Sequence, residues 1–79
     1  MALHERLKQL RVDSGLSLKN LSDHTGLSVS YLSDIERGRT VPSLGTLIAI
    51  ADAHLMTVVA ILSAVDLGEL VTLQPIPFD

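Results

Sequence analysis

The segment from Leu18 to Arg39, LKNLSDHTGLSVSYLSDIERGR, leaves few folds open. Ser22 supplies a small side chain where two helices can nearly touch, and Gly26 a residue free to take positive φ in a sharp turn. Leu32 and Ile35 then place two apolar side chains on one side of the helix that follows. Hydroxyl residues stand ahead of each run, Ser17 before LKNLS and Ser28 before VSYLS, where their oxygens can accept from the unpaired amides of a first turn. Gly26 and Gly38 close the two runs as left-handed stops. The segment therefore encodes two short helices joined by a tight turn, the second held out from a small body.

The same punctuation extends in both directions. Leu3, Leu7 and Leu10 form one apolar stripe of a first helix that should stop near Ser14 and Gly15. Leu18 and Leu21 face inward from the second. Pro42 and Ser43 open a fourth, SLGTLIAIADA, with Leu44, Leu47, Ile48 and Ala51 inward, and Thr57 can cap a fifth, VVAILSAV. Beyond it, DLGELVTLQPIPFD changes character, because Pro75 and Pro77 forbid helix and LVTLQ favours extended chain. The expected fold is all-α: a five-helix domain over residues 1–65 and a short extended C-terminal tail over 66–79.

A chain of 79 residues affords only one small core, which a partner subunit commonly supplements. Hydrophobic residues make up 47% of it, a high share for so small a monomer, so some apolar surface is expected to meet another chain. Without cysteine there are neither disulfides nor thiolate metal sites. MALHERLKQLR has no apolar leader run, and no stretch reaches the ~18 apolar residues of a membrane span. The expectation is a soluble, cytoplasmic protein without a membrane segment.

Net charge is −3, yet all six Lys and Arg lie before residue 42, against five acids there, a net +1. The rest carries four acids and no Lys or Arg. A polyanion surface therefore belongs to the first half, with the second half turned away.

Four blocks, LHERLKQLR, GLSLKNLS, GLSVSYLSDIERGR and PSLGTLIAIADA, follow one another at a spacing that resembles the lambda-repressor-like, Cro-type helix-turn-helix family, over residues 3 to 62. Chains of this length in the family are similar to restriction-modification controller proteins and compact phage repressors. The resemblance implies a sequence-specific regulator of transcription, a repressor, bound as a homodimer to a two-fold operator in double-stranded DNA. Its third helix would lie in the major groove. The family pairs an arginine late in the first helix with a glutamate late in the third, which makes Arg11 and Glu36 a structural ion pair here.

Val29, Ser30, Ser33 and Asp34 are then the base-reading positions. Val29 suits a thymine methyl, the serines several base edges, and Asp34 either the cytosine amine or a local pair with Arg37 or Arg39. Phosphate contacts fall to Ser17, Lys19, Tyr31, Arg37, Arg39 and Thr40. Where many members have glutamine this chain has Leu18, which removes one expected phosphate donor.

The run Val58 to Leu62 holds five apolar residues in succession, more than one helix face can bury. Leu55, Met56, Val58, Val59, Ala60, Leu62 and Val65 are the expected dimer interface, with Leu55 at positive φ where a glycine is usual. His4 and His24 read as solvated and His54 as a packed or interface ring; their separation gives no metal site. Serines read as caps and not as nucleophiles, so no enzyme, cofactor or small-molecule ligand is inferred. The competing reading is a protein-binding module, such as an antitoxin or anti-repressor, whose helices chiefly hold a partner.

Overall fold

Leu3–Asp13 forms α1, Leu18–Thr25 α2, Val29–Glu36 α3, Leu44–Ala53 α4 and Val58–Leu62 α5. This is a computed structural model, and it describes residues 1–55 and 58–66, the Val58 side chain excepted. The helical starts follow from local chemistry. The Ser17, Ser28 and Ser43 hydroxyls accept from the amides of Asn20, Tyr31 and Thr46, each at the third position of its helix. Glu5 does the equivalent for α1 from the other direction, accepting from the Ala2 amide at 3.0 Å. The stops are equally local: Gly15 has φ 72°, Gly26 75° and Gly38 74°. Thr57, expected to cap α5, and the extended segment within the tail lie outside the described residues.

The core gathers one stripe from every helix: Leu3 and Leu7, Leu21, Leu32 and Ile35, Leu47, Ile50 and Ala51, and Ile61. Burying each of the larger side chains contributes about 1.5–3 kcal/mol. Ile48 departs from the expected stripe. It is 42% exposed, while Ile50 is buried in its place. The segment LIAIA is apolar around most of its circumference, so periodicity alone cannot choose between the two isoleucines. The packing of α4 on α2 and α5 makes the choice.

His4 also departs from expectation. It is half-buried, and a Cβ added to Gly38 would lie 3.1–3.3 Å from its ring atoms, so the imidazole packs directly on the Gly38 backbone. Glycine is thus required at 38 twice over, by φ and by the ring above it. His24 is exposed.

Two side chains tie the layers together. Arg11 donates from Nε to Glu36 Oε2 at 2.8 Å, from Nη2 to Oε1 at 3.0 Å and from Nη1 to the Leu16 carbonyl at 2.9 Å. One guanidinium thereby joins α1, the α1–α2 loop and the end of α3. The hydrogen bond to Glu36 holds it protonated even more firmly than an ordinary arginine. His54 caps α4 with Nδ1 3.4 Å from Ser14 Oγ, and its Nε2 is buried without a hydrogen-bond partner among the described residues. Burial pushes this imidazole below its ordinary 6.5, against a weaker opposing pull from Glu36.

Candidate nucleic-acid interface

α2 and α3 pack against each other across the Thr25–Ser28 turn. Ser22, small enough for this approach, donates to the Leu27 carbonyl at 2.6 Å, and Thr25 accepts from the Leu27 amide at 3.2 Å, so the turn's polar groups are satisfied from within. The buried side of α3 is Leu32, Ile35 and Glu36, with Glu36 only 8% exposed. The opposite side carries Val29 and Ser30, both exposed, and Ser33 and Asp34, both half-buried. At 100° per residue the four share one face, which leaves a small, mostly polar surface clear of the core.

Two arginines follow this face. Arg37 and Arg39 flank Gly38 just after α3, both exposed. Arg39 lies 3.9 Å from Asp34, so the local-pair alternative for Asp34 has a geometric counterpart. Lys19, at the start of α2, sits 3.9 Å from Asp23. Pairs this exposed and this long add little to stability, which leaves the side chains available to other partners.

The remaining phosphate candidates are more engaged. The Ser17 hydroxyl accepts from the Asn20 amide at 3.0 Å and donates to Asn20 Oδ1 at 2.7 Å. The Tyr31 hydroxyl is 3.2 Å from Thr46 Oγ1, to which Ser43 donates at 3.0 Å, a hydroxyl chain linking α3 to the first turn of α4. Thr40 is half-buried beside His4 and Gly38. Sequence reasoning missed this chain and the His4 contact, because both join residues far apart in sequence with no spacing signal of their own.

After α4, Leu55 has φ 54° and is 95% exposed, and in α5 Val59 is 77% exposed. Leu62 and Val65 instead pack partly against the core. Ala60 is half-buried, while Met56 and the Val58 side chain lie outside the described residues. Among the described residues no group of three or more His, Asp or Glu is placed to hold a metal ion, and no helix is long and apolar enough to cross a membrane.

Two short helices crossing on a glycine turn, with the outer face of the second left free and cations at its end, define a helix-turn-helix module. The chain belongs to the helix-turn-helix domain family, whose family model matches residues 2–63, and it has the lambda-repressor-like, Cro-type arrangement. It is 48% identical over 66 residues to the HTH-type transcriptional regulator DdrOP3 of Deinococcus deserti, covering 84% of this chain and 51% of that one. Over 53 residues it is 45% identical to the immunity repressor protein of Bacillus phage phi105, covering 67% and 37%. Among solved structures it resembles SinR of Bacillus subtilis, a master regulator for biofilm formation, in complex with DNA. There the TM-score is 0.70 at 36% identity, covering 76% of this chain and 97% of that one. The chain spans about half the length of DdrOP3 and 37% of that of the phage phi105 repressor.

Proposed function

We propose that the protein is a cytoplasmic, sequence-specific regulator of transcription, a repressor that binds a two-fold operator in double-stranded DNA as a homodimer. Residues 1–65 form its DNA-binding domain, and the tail, 66–79, contributes to the dimer interface. The observation that carries this reading is the outer face of α3. Val29, Ser30, Ser33 and Asp34 point away from the core with Arg37 and Arg39 beside them, the layout by which a helix enters the major groove while cations hold the backbone. The small count of cations is then doubled across two half-sites, which resolves how an acidic chain can hold a polyanion.

Exposed apolar side chains at Leu55 and Val59 support the homodimer. They equally favour a second reading, a protein-binding module such as an antitoxin or anti-repressor in which that patch meets a different chain.

DNA retention over a salt series separates the two. Regulator binding falls steeply with salt as counterions are released, whereas an apolar contact is nearly indifferent. Arg37→Ala or Arg39→Ala is expected to weaken binding to all sequences about equally and to lower the magnitude of the salt slope by ~1 per lost contact. A changed base preference with an unchanged slope would show that these arginines read bases.

A further inference from the structure

Four of the six cations have a polar partner within the fold, two of them (Lys19 and Arg39) only in long, exposed pairs. Arg6 donates to the Ile61 carbonyl at 3.4 Å, Arg11 pairs with Glu36, Lys19 with Asp23 and Arg39 with Asp34. Lys8 and Arg37 have no hydrogen-bond or ion-pair partner among the described residues. Both line one crevice of about 130 Å³ between α1, the first residue of α2 and the last turn of α3, together with Arg11, Leu18, Ser33 and Glu36. Glu36 is neutralised there by its two contacts with Arg11. The crevice therefore keeps the two positive charges of Lys8 and Arg37 without a counter-charge.

We propose that Lys8 is a phosphate-binding residue, which with Arg37 and the Ser33 hydroxyl holds one DNA phosphodiester per subunit in this crevice. The inference rests on the DNA-binding reading and extends it to α1, outside the two-helix unit. Three features select a phosphodiester. The walls bring an ammonium, a guanidinium and a hydroxyl, all able to donate to non-bridging oxygens, with no unpaired carboxylate. Ser33 belongs to both the crevice and the outer face of α3, so an anion held here lies at the edge of the surface that meets the groove. Leu18 opens α2 at the same place and has no side-chain donor. Lys8 reaches it from α1 and supplies the donor that Leu18 lacks.

The test compares wild type with Lys8→Gln, Lys8→Arg and Arg37→Ala on one selected DNA duplex, with single phosphates replaced in turn by neutral methylphosphonates. Lys8 is exposed, so Lys8→Gln is expected to keep the wild-type thermal midpoint. Its log–log salt slope should fall in magnitude by about 0.9 per bound subunit, and Lys8→Arg should restore it. One methylphosphonate per half-site should weaken wild type more than it weakens Lys8→Gln, which keeps only Arg37 and Ser33 on that phosphate; an equal loss in both overturns the assignment of Lys8. A Lys8→Gln slope equal to wild type, beside a reduced slope for Arg37→Ala, overturns the assignment of Lys8 and leaves the DNA reading intact. Salt-insensitive or absent binding by wild type overturns the DNA reading itself, and this proposal with it.

Discussion

Arg11→Ala is expected to destabilise the domain by about 3–5 kcal/mol, because it leaves the Glu36 carboxylate buried without its partner. A domain of this size has of order 5–10 kcal/mol in total, so the variant should be partly unfolded near 37 °C. Each kcal/mol moves the midpoint of so small a domain by ~4–8 °C, which makes the expected fall at least ~12 °C. Both side chains are well covered, with relative side-chain exposures of 14% for Arg11 and 7% for Glu36, so solvent cannot substitute for the missing partner. The loss reaches beyond the pair. Arg11 also satisfies the Leu16 carbonyl, which sets the exit from α1, and it fixes the end of α3 from which Arg37 and Arg39 project. Replacing both partners with apolar residues, Arg11→Met with Glu36→Leu, should recover much of the stability, since it strands no charge. Thermal and urea unfolding followed by circular dichroism measure both variants. A change under 1 kcal/mol in Arg11→Ala would mean that water reaches Glu36 and that the pair does not organise the fold.

Val59→Asp should produce the second large effect, on assembly. At 77% exposure, Val59 contributes little to its own core, so the substitution is expected to leave the folded monomer intact. On the proposed interface it would put two carboxylates against each other across the two-fold axis in an apolar contact. Sedimentation at micromolar concentration should then give a dimer for wild type and a monomer for the variant. Affinity for a two-half-site duplex should drop by about 10²–10⁴-fold as the linkage between half-sites is lost. Leu55 gives this a further motive. Holding a leucine at φ 54° costs about 1–2 kcal/mol, and with 95% of it facing solvent its side chain gains little packing among the described residues to offset that cost. A wild-type monomer, or a dimer unchanged by Val59→Asp, would remove the interface from the proposal.

The helices were legible because their signals are local. Ser17, Ser28 and Ser43 cap, Gly15, Gly26 and Gly38 stop, and each depends on a few neighbouring residues. The arrangement of Leu32 and Ile35 against Ser30, Ser33 and Asp34 was legible for the same reason, since helical periodicity alone divides them. What periodicity could not settle was α4, where Ile48 and Ile50 are chemically equal and only the neighbouring helices distinguish them. Pairings across long sequence separations were equally silent. Nothing near His4 announces that its ring rests on Gly38, and nothing near Tyr31 announces Thr46. Lys8 went unnoticed because an exposed lysine on α1 looks like any solvated charge until the crevice places it beside Arg37. The Arg11–Glu36 expectation came from family resemblance, since neither residue carries a local sign of burial.

The central claim is sequence-specific recognition by a two-fold dimer, and selection of bound sequences from a random double-stranded DNA library tests it most directly. An inverted repeat should be enriched, with half-sites centred about 34 Å apart, roughly one turn of DNA or a multiple of it. Positions changed by Asp34→Asn should fall symmetrically in the two halves. Retention of the library without enrichment of any motif, or enrichment of an asymmetric single site, would contradict it.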